Sequence, residues 1–408
     1  MVAVDARRLE QGELQVIDTP EALDAAIARI GAGEGAIAVD TERAAGYRYS
    51  DRAYLVQLFR RGAGTMLIDP VPFGSLAQLG EVINGELWVL HAATQDLPSL
   101  REIGLDPQEI FDTELASRLL GKERVGLGAV VHELLGIELA KAHSASDWSR
   151  RPLPDEWLAY AALDVELLLD VHDRLLVELR EAEKLEWASE EFADILTREL
   201  RPEREEPWRR LSGIHTVHRP RQLAIARELW LARDAYARET DTAPSRLVPD
   251  RALIAAAKEM PRTKGQLAAL KSFTGRASRE QLDRWWAAIE RGRTTDALPD
   301  RQARSANAIP TPRAWANKRP EADARLKSAK PAVAETAEQL NLPTENLLTP
   351  AILRRVAWEP AGDSEAAIAE QLRELGARNW QCNITAPIIW DAFVASRQDA
   401  EESAARES

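Results

Sequence analysis

The sequence predicts a mixed α/β domain followed by two all-helical domains, and three observations predict it. Residues 14 to 190 alternate short, β-rich apolar runs with helix-like segments, the pattern of a sheet with flanking helices. After Leu185 the strand-like runs stop and tryptophan becomes frequent. Beyond that point "APSRLVPDRALIAAA" at 243–257 and "LPTENLLTPAILRRVA" at 342–357 share one pattern. Each has a loop, a Leu-aliphatic pair, Pro or Thr-Pro, then an amphipathic helix start, which marks two copies of one small helical module.

The elements follow in order. Thr19-Pro20-Glu21 opens "TPEALDAAIARIGAG" with an N-cap and then Pro in the first turn, so a helix starts there. "GAIAVDTE" (35–42), "AYLVQLFRR" (53–61), "GTMLIDP" (64–70) and "ELWVLHAAT" (86–94) are short, apolar and β-rich, and read as strands. "LPSLREIGL" (97–105) reads as a helix, and "EWLAYAALDVELLLDVHDRLL" (156–176) as one continuous helix with Tyr160, Leu163, Asp164, Leu167, Leu168, Val171 and Leu175 on a single stripe. "RPEREEPWRRLSGIH" and "RTTDALPDRQARSANAIPTP" are connectors. The predicted division is therefore 14–190, 207–293 and 310–396, with a polar, disordered tail over 397–408.

Composition limits what such a chain can be. With 408 residues, 45% hydrophobic and 29% charged, it supports two or three real cores and is not a disordered polyelectrolyte. The single cysteine, Cys382, excludes an internal disulfide, and no apolar run approaches the ~20 residues of a membrane helix. The opening residues lack a signal-peptide core, so a cytoplasmic protein with no membrane partner is expected, and no obligate protein partner is evident. The net charge of -13 is unevenly spread: 207–293 carries 18 Lys/Arg against 9 Asp/Glu, a local +9 that leaves about -22 elsewhere. A basic module beside an acidic one suggests polyanion capture at one place and cation capture at another.

The acids that matter lie where a fold would bury them. Asp40 and Glu42 are two apart at the end of an apolar strand, so both point to one face, where like charges repel unless a cation lies between them. Asp96 follows an apolar strand at a helix start, a place that also suits an ordinary capping acid. Asp164 interrupts an apolar helix face with Tyr160 one turn before it; a core tyrosine beside an acid at the helix rim is the plain alternative. Four carboxylates are the ligand type of hard divalent cations, Mg²⁺ or Mn²⁺, and two such ions can clamp the attacking and leaving oxygens of a phosphoryl displacement.

"VDTE" with Asp40 and Glu42, "HAATQDLPSL" with Asp96 and "SDWSRRPLPDEWLAYAALDV" with Tyr160 and Asp164 resemble the three exonuclease motifs of the ribonuclease D family. The resemblance runs through 14–190. Residues 215–293 resemble the helicase-and-ribonuclease-D C-terminal (HRDC) domain, and 310–396 its weaker second copy. It implies an RNase H-like sheet and a 3′-5′ exoribonuclease that releases nucleoside 5′-monophosphates from RNA with a free 3′ end, tRNA precursors among them. It also implies a role for each residue: Asp40 bridging two metal ions, Glu42 and Asp164 on the ion nearer the nucleophilic water, Asp96 on the second, and Tyr160 orienting the water. Tyr160 with Ala159 before it places the chain in the tyrosine branch of the superfamily. One departure is Ala92, where many superfamily members carry Asn. The alternatives are a DNA 3′-5′ exonuclease and a catalytically silent nucleic-acid-binding scaffold.

Candidate RNA contacts complete the reading. Tyr47, Arg48 and Tyr49 could stack on a base or pair a phosphate, and Lys264, Lys271, Arg276 and Arg279 around "GRAS" could meet phosphates. Trp285-Trp286 reads as core packing.

Overall fold

The structure is a computed structural model that describes residues 2–3, 15–139, 143, 145–199, 205–300 and 309–407. Parts of both predicted connectors, and residue 14 at the expected start of the first domain, lie outside the described residues.

The strands are β1 (Val2–Ala3), β2 (Val16–Ile17), β3 (Glu34–Arg43), β4 (Ala53–Arg61), β5 (Gly64–Ile68), β6 (Leu87–Leu90), β7 (Glu109–Asp112) and β8 (Ile137–Glu138). Six of them form one mixed sheet in the order β2-β5-β4-β3-β6-β7, while β1 and β8 pair separately in parallel. β3 lies centrally, antiparallel to β4 and parallel to β6, and its residues are nearly all covered on both faces. That burial is why "GAIAV" reads as a continuous apolar run and not as an alternation. The four predicted strands are β3 to β6. β2 and β7 are two and four residues long, too short to show a period, and are defined by their ladders to β5 and β6.

The helices of this part are α1 (Pro20–Gly31), α2 (Ala77–Ile83), α3 (Leu97–Arg101), α4 (Thr113–Leu119), α5 (Leu127–Leu135), α6 (Asp155–Glu166), α7 (Leu168–Glu181) and α8 (Leu185–Thr197). Thr19 caps α1 as predicted, its Oγ1 accepting the Ala22 N–H at 3.3 Å. The expected single helix over 156–176 is instead broken at Leu167. α6 buries Leu158, Ala161, Ala162 and Val165, and α7 buries Leu168, Leu169, Val171, His172, Leu175 and Leu179. Leu163 and Leu167 are only half-buried, so the predicted stripe is not the packed one. α6 crosses β3, β4 and β5, where Leu158, Ala161 and Ala162 pack on Leu55 and Leu67.

The first helical segment comprises α9 (Pro220–Thr240), α10 (Pro244–Leu247), α11 (Asp250–Glu259), α12 (Lys264–Ala268), α13 (Arg276–Glu280) and α14 (Leu282–Thr294). It has its own core around Trp208, Leu229, Leu253, Phe273 and Trp285. Trp285 is fully buried and its Nε1 donates to Ala277 O at 3.2 Å, which is core packing as expected. The α9 and α14 backbones touch at Gly292, where a Cβ would lie 2.6 Å from Ile225 Cα, so only glycine fits.

The second segment comprises α15 (Trp315–Lys318), α16 (Pro320–Gln339), α17 (Thr344–Leu347), α18 (Pro350–Trp358), α19 (Glu365–Glu374) and α20 (Asn379–Glu407). Its core is continuous with that of the α/β part. Trp187 of α8 stacks on Trp380 at 4.7 Å, Glu191 takes Arg378 in a bidentate pair at 2.9 and 2.8 Å, and Lys184 Nζ donates to Leu119 O and Leu340 O at 2.7 and 2.6 Å. α20 runs to Glu407, which corrects the expected disordered tail over 397–408. "RQDAEESAARE" is polar, but Ala, Glu, Gln and Arg are strong helix formers and it contains neither Pro nor Gly; Pro387, earlier in α20, does not end the helix. Among the described residues no helix is long and apolar enough to cross a membrane.

Candidate active site

The last residues of β3 supply the first part of the site. Asp40 and Glu42 leave the strand on the face covered by α6, and α6 places Asp164 opposite them. Ligand oxygens of Asp40, Glu42 and Asp164 all lie within 4.8 Å of one another. Asp155 and Glu156 in the first turn of α6 suit its positive end, which helps this helix start where it must. Arg151 secures the approach: it donates to Asp69 Oδ2 at 2.5 Å, Tyr54 O at 2.8 Å and Trp148 O at 2.7 Å, tying the chain ahead of α6 to β4 and to the residue that follows β5.

Asp96 comes from the turn after β6. It stands at the N-cap position of α3 but makes no capping hydrogen bond, so the capping-acid reading fails. Its carboxylate is instead buried and meets Arg43 Nη2 at 3.4 Å. Asp112 holds the turn, accepting the N–H groups of Ala92 and Ala93 at 3.1 and 2.9 Å while also capping α4. Ala92 has φ of 62°. That left-handed backbone costs a residue with a Cβ about 1–2 kcal/mol, and the Asp112 hydrogen bonds hold it.

The electrostatics are those of crowded like charges. Burial, then the neighbouring Asp40, Asp164 and Asp96, push the Glu42 carboxyl up. Burial and then Asp40 do the same to Asp96 and Asp164, and Asp40 rises through burial itself. Arg43, in contact with Asp96 and 3.6 Å from Asp51, is the cation that counts against all of Asp40, Glu42 and Asp96. Among the described residues these four carboxylates face one guanidinium, an anionic excess of hard oxygen donors that fits divalent cations. Tyr160 hydrogen-bonds Asp164, and burial together with the acids pushes its phenol above the ordinary range, so it stays protonated and donates.

The candidate RNA contacts fare differently. Tyr47 O accepts the Ala243 N–H at 3.0 Å and its ring lies 3.8 Å under the Arg246 guanidinium, Arg48 donates to Ser149 at 2.8 Å, and Tyr49 OH donates to Asp234 at 2.9 Å. With Ser50 N and Tyr54 OH bonding Asp241 at 2.9 and 3.5 Å, this loop is a clamp on α9 and α10. Lys264 pairs with Asp283 and Arg276 with Glu280, whereas Lys271 and Arg279 are exposed. The sequence reading passed over Arg43, Asp112 and Arg151. Arg43 adjoins the first motif and Arg151 lies inside the third, which was the available signal.

A strand-borne pair of acids, a third on a crossing helix and a fourth at a strand-to-helix turn define a 3′-5′ exonuclease. Residues 14–180 match the family described as 3′-5′ exonuclease, 222–289 the HRDC domain, and 308–393 the 3′ to 5′ exonuclease C-terminal domain. The chain belongs to the ribonuclease D family. It is 34% identical to ribonuclease D of Pseudomonas paraeruginosa over 78% of this chain and 82% of that one. A crystal structure of a protein from Bifidobacterium adolescentis superposes with TM-score 0.87 at 36% identity, covering 94% of this chain and 98% of the other. That of Escherichia coli RNase D, an exoribonuclease involved in structured RNA processing, does so with TM-score 0.67 at 26% identity, covering 89% and 98%.

Proposed function

We propose that this chain removes nucleoside 5′-monophosphates from the 3′ end of RNA, tRNA precursors among its substrates, with two divalent cations, Mg²⁺ or Mn²⁺, held by Asp40, Glu42, Asp96 and Asp164. The observation that carries this is the convergence of Asp40, Glu42 and Asp164 oxygens within 4.8 Å, beside Tyr160 and Asp96. Bound cations would supply the positive charge that activates water and stabilises the leaving oxygen. The protein's own groups do the rest. The carboxylates hold the ions, and the Tyr160 hydroxyl, protonated across the neutral range, orients the attacking water and is not its base.

The domain division follows the same reading: 14–190 catalyses, and 207–293 and 310–396 are two copies of one helical module. What supports the duplication is a shared order of elements. Each has a long helix (α9, α16), a single turn (α10, α17), a helix of ten or nine residues (α11, α18), and a long closing helix (α14, α20). The basic first copy, with Lys258, Arg262, Lys271 and Arg279 exposed, grips RNA phosphates, and the protein acts in the cytoplasm.

One gel tests the activity. The purified protein is incubated with 5′-labelled RNA and DNA of equal sequence, and with circular RNA, in Mg²⁺, Mn²⁺ or EDTA. A ladder shortening from the 3′ end of RNA and abolished by EDTA is expected. Faster loss of DNA would establish a DNA exonuclease, and cleavage of the circle would rule out exonuclease action.

A further inference from the structure

Gln57 lies in the middle of β4 with no exposed surface, and neither its Nε2 nor its Oε1 has a hydrogen-bond partner among the described residues. A buried amide with both ends unmade is costly and calls for an explanation. Its position supplies one. The ladders place Gln57 directly opposite Asp40 on β3 and Leu67 on β5, with Leu55 opposite Glu42 in the next row. Residues directly opposite share a face, with Cβ atoms about 4.5–5.5 Å apart. That face is the one under α6, where Leu55 and Leu67 pack against Leu158, Ala161 and Ala162. Gln57 thus stands between a leucine and a carboxylate, and Asp40 is the polar neighbour of its own row.

We propose that Gln57 is a positioning residue for Asp40: its Nε2–H donates to one carboxylate oxygen and so aims the other at the bound cation. This rests on the assignment of Asp40 as a cation ligand. Carboxylates that bind metal ions are themselves held by hydrogen bonds from a surrounding layer, and losing such a partner lowers ion affinity or activity about 10–100-fold. A long, unbranched amide can reach across one strand spacing, and the interaction forms when the cation draws Asp40 into a single orientation. A purely structural role would be served better by an apolar side chain, since Leu55 and Leu67 fill the adjoining places on the same face.

The test uses the full chain and two measurements. Mn²⁺ binding is followed by titration calorimetry, and thermal unfolding by scanning calorimetry in EDTA, for the native protein, Gln57→Met and Gln57→Leu. Met keeps the length and lack of branching of Gln, and Leu matches its neighbours, so a packing failure in one variant is checked by the other. Mn²⁺ affinity is expected to fall about 10–100-fold in both. The unfolding temperature in EDTA should hold or rise, because two unpaired polar atoms are gone. Native Mn²⁺ affinity in the variants would overturn the inference alone, as would lower stability in EDTA with affinity unchanged. A native protein that binds no Mn²⁺ would overturn the cation assignment, and the inference with it.

Discussion

Asp40→Asn separates the cost of the acidic cluster from its use. Burial raises the Asp40 carboxyl from 3.8 to about 6, a difference near 2 pH units and on the order of 3 kcal/mol. A folded-state pKa above the unfolded one means that this stability is fully present below about pH 4 and is lost as pH rises through about 6. Asn does not ionise and loses nothing. In EDTA at pH 8 the variant's catalytic unit should therefore melt above the native protein's, by about 6–12 °C for a unit of 150–250 residues. The gap should close as the pH is lowered toward 4. In Mn²⁺ at about 1,000 times its Kd the order should reverse, since such a ligand stabilises the native protein by about 4.1 kcal/mol, more than the gap of about 3, and the variant by much less. Scanning calorimetry at both pH values, with EDTA or Mn²⁺, reads all of this. If the Asp40→Asn protein showed no gain at pH 8 in EDTA, the carboxylate would not be strained by burial. Equal Mn²⁺ stabilisation of both proteins would remove Asp40 from the ligand set.

Four further outcomes are expected. Tyr160→Phe should lower turnover on RNA about 10–1000-fold while Mn²⁺ titration stays native, because water orientation is lost and no ligand is; weakened Mn²⁺ binding would make Tyr160 part of the ion site. Asp241→Ala removes the acceptor of Ser50 N and Tyr54 OH and should loosen the clamp by about 1–3 kcal/mol, seen as faster limited proteolysis between the catalytic unit and α9. Trp380→Ala should destabilise the catalytic unit by about 3–5 kcal/mol and leave the α9–α14 unfolding transition unmoved, since Trp380 packs on Trp187 and belongs to the shared core; a shift of that second transition alone would contradict the packing. Lys271→Ala with Arg279→Ala should flatten the log-log salt dependence of single-stranded RNA binding by about 0.7 for each phosphate no longer neutralised, and an unchanged slope would place the RNA grip elsewhere.

The clamp shows how far local reading reaches. Tyr47, Arg48 and Tyr49 have the chemistry of an RNA contact, and a linear sequence cannot tell an aromatic side chain facing a base from one facing Asp234 or Arg246. The partners are almost 200 positions away, and only packing of α9 and α10 on the loop assigns them. Leu167 makes the same point on a smaller scale. The apolar spacing from Tyr160 to Leu175 suits one helix, yet the helix is interrupted there, and α6 buries Leu158, Ala161, Ala162 and Val165 while Leu163 and Leu167 stay half-buried.

By itself the sequence determined the kind of protein: strands ending in Asp40 and Glu42, an acid after the next parallel strand, and Tyr160 one turn before Asp164 are local patterns whose chemistry travels with them. It also determined the helical character of the C-terminal half and the separate basic character of 207–293, because periodicity and charge are properties of short windows. Tertiary structure alone decided which partners these residues meet. It set Arg43 against Asp96, placed Gln57 across from Asp40, bound the first helical module through Tyr47, Tyr49 and Asp241, and merged α15–α20 with the catalytic core. The physical reason is that such contacts join residues far apart in the chain, and their strength depends on burial and register that no window of sequence contains.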